Sequence, residues 1–130
     1  MDQTIDDYDA IVATVQHYVT GTAQGNREEL LEAFHEDARI FGQVEGQRLD
    51  LPIEEFYTLA EKWPADADGT YTIRVLSVDQ VQDAAVVVVA EEGVWGEVSI
   101  IDFFSLVRLK GEWKIVCKVF THTSGTMPIE

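Results

Sequence analysis

Glu97 to Thr121 reads EVSIIDFFSLVRLKGEWKIVCKVFT, and the fold turns on how this stretch pairs with itself. β-Branched and aromatic residues crowd both halves and a Gly stands near the middle, which is the pattern of two long strands joined by a tight turn at Lys110-Gly111. A three-residue loop of Lys110, Gly111 and Glu112 sets Leu109 opposite Trp113, Val107 opposite Ile115, Ser105 opposite Cys117 and Phe103 opposite Val119. The other face then carries Asp102, Phe104 and Leu106 with Val116, Lys118, Phe120 and His122. Both faces are largely apolar, so both are expected to be covered. Helices of the same chain are the expected cover on the side of Asp102 and Lys118. A second copy of the chain is the expected cover on the outer side.

Upstream, the apolar period is helical. Tyr8, Ile11, Val12, Val15, Tyr18 and Val19 make one stripe of a helix from Ile5 to about Gln24, with a capping pattern at Thr4 and Asp7 and a stop at Gly25. Asn26 opens a second, short helix whose buried side is Leu30, Leu31 and Phe34. Arg39 to Val44 reads as a short strand interrupted by Gly42, and Gly46 to Asp50 as a loop. Asp50 is the expected cap of a third helix with Pro52 in its first turn, buried through Phe56, Leu59, Ala60 and Trp63 and ended by Pro64. The period then becomes β: Tyr71 to Val78, a turn at Gln82-Asp83, Ala84 to Ala90, a turn over Glu92 to Gly96, and the hairpin. Three helices followed by antiparallel strands predict an α+β fold, one domain over residues 1–130.

A chain of 130 residues with 46% hydrophobic residues is long and apolar enough to close one core. Its 24 acidic against 9 basic residues leave a formal charge of −15, which repels phosphate backbones and anionic lipid surfaces, so neither nucleic acid nor membrane is an expected partner. The apolar run Ala84–Ala90 is too short to span a bilayer, and the acidic start lacks a signal-like apolar segment, so a cytoplasmic location is expected. Cys117 reads as a small core residue. No Gly-rich phosphate loop or G-x-S-x-G elbow occurs, and the three histidines are dispersed, so no cofactor and no metal site are expected.

The helix bearing Tyr18, the GN at Gly25-Asn26, FHEDA at Phe34 to Ala38, PIEEFY before the third helix, and DFFSLVRLKGEWKIVCKVF together resemble the NTF2-like superfamily, within it the SnoaL-like and "putative lumazine-binding" group. The resemblance covers nearly the whole chain. It implies a cone: a curved antiparallel sheet wrapped around three helices, a pocket at the open end, and often a dimer through the sheet. It does not imply one function.

Within that superfamily, ketosteroid isomerase uses an Asp base and an oxyanion hole of Tyr and protonated Asp. An ungapped match from QHYVTGTAQGN to FHEDA implies the oxyanion Tyr at Tyr18, and Asp102 falls near the oxyanion Asp. The base position falls on Gly42, which cannot accept a proton. Asp102 lies among Ile100, Ile101, Phe103 and Phe104, where burial raises a carboxyl pKa unless a cation answers it, and Lys118 on the same face is the candidate cation. His122 shares that face, and His122 or Asp50 is a candidate displaced base. A small apolar or aromatic ligand is expected in a pocket lined by Tyr18, Phe41, Trp63, Phe104, Lys118 and Phe120. Two alternatives stand beside ligand binding: an isomerase, dehydratase or cyclase using Tyr18, Asp102 and His122, and a noncatalytic dimeric interaction module.

Overall fold

The structure, a computed structural model, describes residues 5–126. In chain order the elements are α1 (Ile5–Gln24), α2 (Arg27–Ala33), β1 (Phe34–Val44), β2 (Gln47–Pro52), α3 (Ile53–Lys62), β3 (Thr72–Val81), β4 (Ala84–Val94), β5 (Val98–Leu109) and β6 (Glu112–Ser124). The six strands form one curved, unclosed sheet in the order β2-β1-β6-β5-β4-β3. The three helices pack on its concave face, giving the NTF2-like α+β cone. Asn26 caps α2 as its sequence predicts, its side chain accepting from the backbone N–H groups of Glu28 and Glu29. The expected cap at Thr4 lies outside the described residues.

The central hairpin corrects the expected register at its turn end. Ser105 faces Cys117 and Phe103 faces Val119, as the pattern predicts, but Leu106 faces Ile115 and Arg108 faces Trp113. Val116 is an extra residue on β6, and this bulge reverses the facing of everything between it and the turn. Trp113 and Ile115 therefore lie buried on the same side as Asp102. The turn is a two-residue loop, Leu109 pairing with Glu112, with Lys110 and Gly111 both at positive φ. That is the primed turn whose twist suits a hairpin.

Two further expectations are corrected upstream. Residues 47–52 form β2 instead of a loop, and Asp50 pairs with Arg39 and Arg48 while Pro52 holds the cap position of α3 without a side-chain hydrogen bond. The sheet is also not wholly antiparallel, because β1 runs parallel to β6. That pairing brings β1 into the sheet next to the last strand and lets the β1–β2 hairpin rise as one wall of the cone.

Cross-strand register sorts the two faces. On the concave side one row runs Ile40–Lys118–Phe104–Val87 and the next runs Gly42–Phe120–Asp102–Val89. On the convex side Phe41, Val119, Phe103 and Val88 form an apolar row across four strands. Among the described residues no helix is long and apolar enough to cross a membrane.

Candidate functional site

The core closes the narrow part of the cone and leaves a cavity of about 660 Å³ toward its open end. Apolar side chains from every layer make most of its wall: Ile40, Leu49 and Leu51 of the β1–β2 hairpin, Phe56 and Leu59 of α3, Trp63, Trp95 and Phe120. Tyr18, Thr22, Glu91 and Lys118 form one polar part of the lining, and Glu45, Gln47 and Arg48 from the β1–β2 hairpin form another.

Glu91 is the residue that sequence reasoning missed. It is 2% exposed, and its carboxylate accepts hydrogen bonds from the Tyr18 hydroxyl at 2.9 Å and the Tyr71 hydroxyl at 2.6 Å. The alternation Val87, Val89, Glu91 along β4 points all three inward, so the signal was the period of the strand carried past Ala90 into a segment that composition marks as a turn.

Asp102 sits one strand over on β5, opposite Val89 and diagonal to Glu91, and it is wholly buried. Its Oδ1 lies 3.5 Å from the Lys118 ammonium, yet neither carboxyl oxygen has a hydrogen-bond partner when both acids are drawn as carboxylates. A shared proton resolves this. Two carboxylate oxygens have no hydrogen to bond with, whereas a protonated Asp102 donates to Glu91.

The electrostatics agree on which acid holds the proton. Burial drives Asp102 well above the ordinary carboxylate range, the negative charge of Glu91 pushes it further, and Lys118 only partly offsets them. Burial also presses Glu91 upward, but the hydrogen bond from Asp102, the charge of Lys118 and the two tyrosine hydroxyls outweigh it and hold Glu91 below its usual value. The floor is thus an ionised Glu91, a neutral Asp102 and the Lys118 ammonium. Tyr18 stays a phenol, raised by burial and by the charge of Glu91.

Lys118 is 5% exposed and caged by three rings, its Nζ lying 5.3 Å from the centre of Tyr18, 5.0 Å from Phe56 and 4.9 Å from Phe120. Cation–π attraction offsets part of the cost of burying the ammonium. Its polar contact is with the Asp102 carboxyl, Oδ1 at 3.5 Å, which leaves the three-donor ammonium with capacity to spare. One polar group of the wall is unmet: Thr22 Oγ1, one helical turn beyond Tyr18, is buried without a partner.

Asp102, wholly buried, lies behind the cavity lining, which corrects the expectation that its carboxyl points into the same space as the Tyr18 hydroxyl. The other expected site residues divide. Trp63 and Phe120 line the cavity, and the Trp63 carbonyl accepts from the Trp95 indole at 2.9 Å. Phe104 stands behind the wall, edge-on to the Tyr18 ring at 4.8 Å between centres, and supports it without lining the space. Phe41 is corrected outright: it lies on the convex face, 37% exposed, because it pairs beside Val119 with outward parity. His122 is outside the cavity lining, its ring bonded to the Gly125 carbonyl. Asp50 is outside it too, held below its usual range by hydrogen bonds from Arg39 and Arg48 despite an opposing desolvation effect. At Gly42 an added Cβ would run into the Phe120 ring, so the aromatic side chain occupies the space that a base there would need. His35 and Asp37 engage each other through the Asp37 N–H and His35 Nδ1 at 3.0 Å, and among the described residues no group of three metal-ligating side chains gathers.

Residues 6–121 match the model of the family described as "Putative lumazine-binding". Aldolase FrzH of Cladobotryum sp is 28% identical over 117 residues, covering 90% of this chain and 92% of that protein. An NTF2-like protein of unknown function from Methylobacillus flagellatus KT is similar at 32% identity and a TM-score of 0.85, over 95% of this chain and 97% of the other. A ketosteroid isomerase-like protein from Erwinia carotovora atroseptica SCRI1043 shares the fold at a TM-score of 0.73 and 16% identity, over 94% of this chain and all of the other (100%).

Proposed function

This chain belongs to the putative lumazine-binding family of NTF2-like proteins, and we propose that its cavity binds a small, largely apolar or aromatic molecule through one oxygen set against Lys118. The observation that carries this reading is the nearly buried Lys118 ammonium that lines an apolar space with a single polar contact at 3.5 Å, to Asp102. An ammonium has three donors, so a ligand oxygen can take one that Asp102 does not use while the walls take the apolar body. The net charge of −15 and the nearby Glu91 carboxylate favour a neutral ligand over an anionic one. Fluorescence titration with 2-naphthol tests it. Saturable binding is expected, weakened roughly tenfold to a hundredfold by Lys118→Met, the equivalent of losing a hydrogen bond to a charged group. No saturable binding, or equal binding by the variant, sinks the reading.

One observation favours a second reading, acid–base chemistry on a carbonyl compound. The Glu91–Asp102 pair offers a carboxylate and a carboxylic acid within one cluster, the arrangement that acid–base catalysis uses. A relative named an aldolase is consistent with it. In this cluster, however, the Tyr18 hydroxyl is committed to Glu91, so it is not a free oxyanion donor.

The convex row Phe41–Val119–Phe103–Val88 is the basis for expecting a homodimer through the sheet. Phe103 and Val119 are each 45% exposed at its centre, where soluble monomers avoid a continuous apolar patch. Light scattering at micromolar concentration is expected to give twice the chain mass, and Phe103→Lys to give the single-chain mass. A wild-type monomer refutes the dimer.

A further inference from the structure

We propose that Lys118 captures an aldehyde or ketone ligand covalently as an imine, with Glu91 as the base that frees its amine and Asp102 as the acid that expels water. This deepens the cavity reading and rests on it.

Three observations lead there. The Lys118 ammonium lines the cavity, is nearly buried, and has the Asp102 carboxyl at 3.5 Å as its polar contact. A desolvated lysine in an apolar pocket is the usual form of an imine-forming nucleophile. The side chain that completes an oxyanion hole elsewhere in the superfamily is not free in this chain, because Tyr18 donates to Glu91. In the Tyr18–Glu91–Lys118 cluster an oxygen-only role therefore uses Lys118 as the charged donor, whereas imine formation uses every member of the cluster. Finally, imine formation needs a proton acceptor before attack and a proton donor after it, and these two roles are divided between Glu91 and Asp102.

The step balances without a cofactor. Glu91 accepts one proton from the ammonium, and the amine lone pair forms the C–N bond to the carbonyl carbon. The carbonyl oxygen becomes a carbinolamine hydroxyl, taking up the second proton that the nitrogen sheds. Asp102, behind the cavity lining but 3.5 Å from Lys118 Nζ, protonates that hydroxyl beside the nitrogen. The hydroxyl leaves as water while the nitrogen lone pair closes the C=N bond. Proton transfer from Glu91 then restores Asp102, leaving the protonated imine opposite a carboxylate. Of the roughly four lone-pair directions on Glu91, Tyr18, Tyr71 and Asp102 occupy three, which leaves one for the amine proton. Thr22 Oγ1, unpartnered, is placed farther along α1 to bond a second polar atom of the ligand.

The experiment is borohydride trapping with phenylacetone, a ketone that surface amines capture poorly, followed by peptide mapping. The expected result is one reduced adduct per chain on Lys118, with Lys62, Lys110 and Lys114 unlabelled. Excess 2-naphthol is expected to suppress it. Glu91→Gln and Asp102→Asn are each expected to slow the labelling of folded protein, and the wild-type map decides the matter if either variant fails to fold. An unlabelled Lys118 in protein that binds 2-naphthol overturns the imine and leaves the cavity reading standing. Neither label nor 2-naphthol binding overturns both. Labelling spread evenly over the four lysines also overturns the proposal.

Discussion

Replacing Glu91 by alanine is expected to cost about 3–5 kcal/mol of stability, the loss that follows when one member of a buried charge pair is removed. The substitution takes the acceptor away from two tyrosine hydroxyls and the counter-charge away from Lys118. Asp102 limits the damage by giving up its proton and facing Lys118 as a carboxylate, but it does not replace the acceptors lost by Tyr18 and Tyr71. Glu91→Gln keeps the volume and one acceptor, so it is expected to cost less, about 1–3 kcal/mol, the penalty for buried groups left unpaired. Glu92→Ala is the internal control: Glu92 is exposed on the same strand, and its removal is expected to stay within about 0.5 kcal/mol. Urea unfolding of the three variants makes the comparison. A Glu91→Ala protein as stable as Glu92→Ala would show that the floor is not held by the carboxylate.

How much of this was legible in the sequence depends on which physical signal each residue carried. The fold class followed from the switch in apolar period after Pro64, because helix and strand periods differ and the segments are long. The pairing of Ser105 with Cys117 followed from alternation alone. The bulge at Val116 did not, since both faces of the hairpin are apolar and a one-residue slip exchanges one hydrophobic set for another. Phe41 misled for the same reason: an aromatic residue fits either face of a strand, and its parity was fixed by the parallel pairing with β6, a long-range fact. Tyr18, Asp102 and Lys118 lie close together, but Asp102 stands behind the cavity lining and its relation to the other two differs from the expectation. With Lys118 as the only anticipated neighbour, Asp102 had to be either ionised against it or free to donate to a ligand. The presence of Glu91 yields a third arrangement, in which Asp102 keeps its proton beside the cation because a second acid carries the charge. Glu91 stayed hidden because EEGVWGE has the composition of a solvated turn, and only the continued strand parity pointed inward.

The proton on Asp102 is the centre of this account, and it makes stability depend on pH in a specific direction. A group whose pKa is raised by folding contributes stability that is complete below its unfolded value, about 3.9 for Asp, and is lost as pH climbs toward the folded value. The folded Asp102 then binds one proton more than the unfolded chain, so stability falls by about 1.4 kcal/mol per pH unit from this residue. Glu91 acts oppositely: its pKa is lowered by folding, so its contribution is present above its unfolded value, about 4.3, and is lost only as pH drops through the lower folded value. The lowered pKa of Asp50 likewise acts only in acid. Asp102→Asn retains a neutral donor toward Glu91 and cannot titrate, so it isolates the term. The measurement is the free energy of urea unfolding of wild type and Asp102→Asn across roughly pH 5 to 8. The variant is expected to gain on the wild type by about 1.4 kcal/mol for each unit of pH, until Asp102 itself ionises in the folded protein. Parallel curves, with Asp102→Asn lower by a constant 3–5 kcal/mol or so, would mean that Asp102 is an ordinary carboxylate paired with Lys118, and would contradict the shared proton.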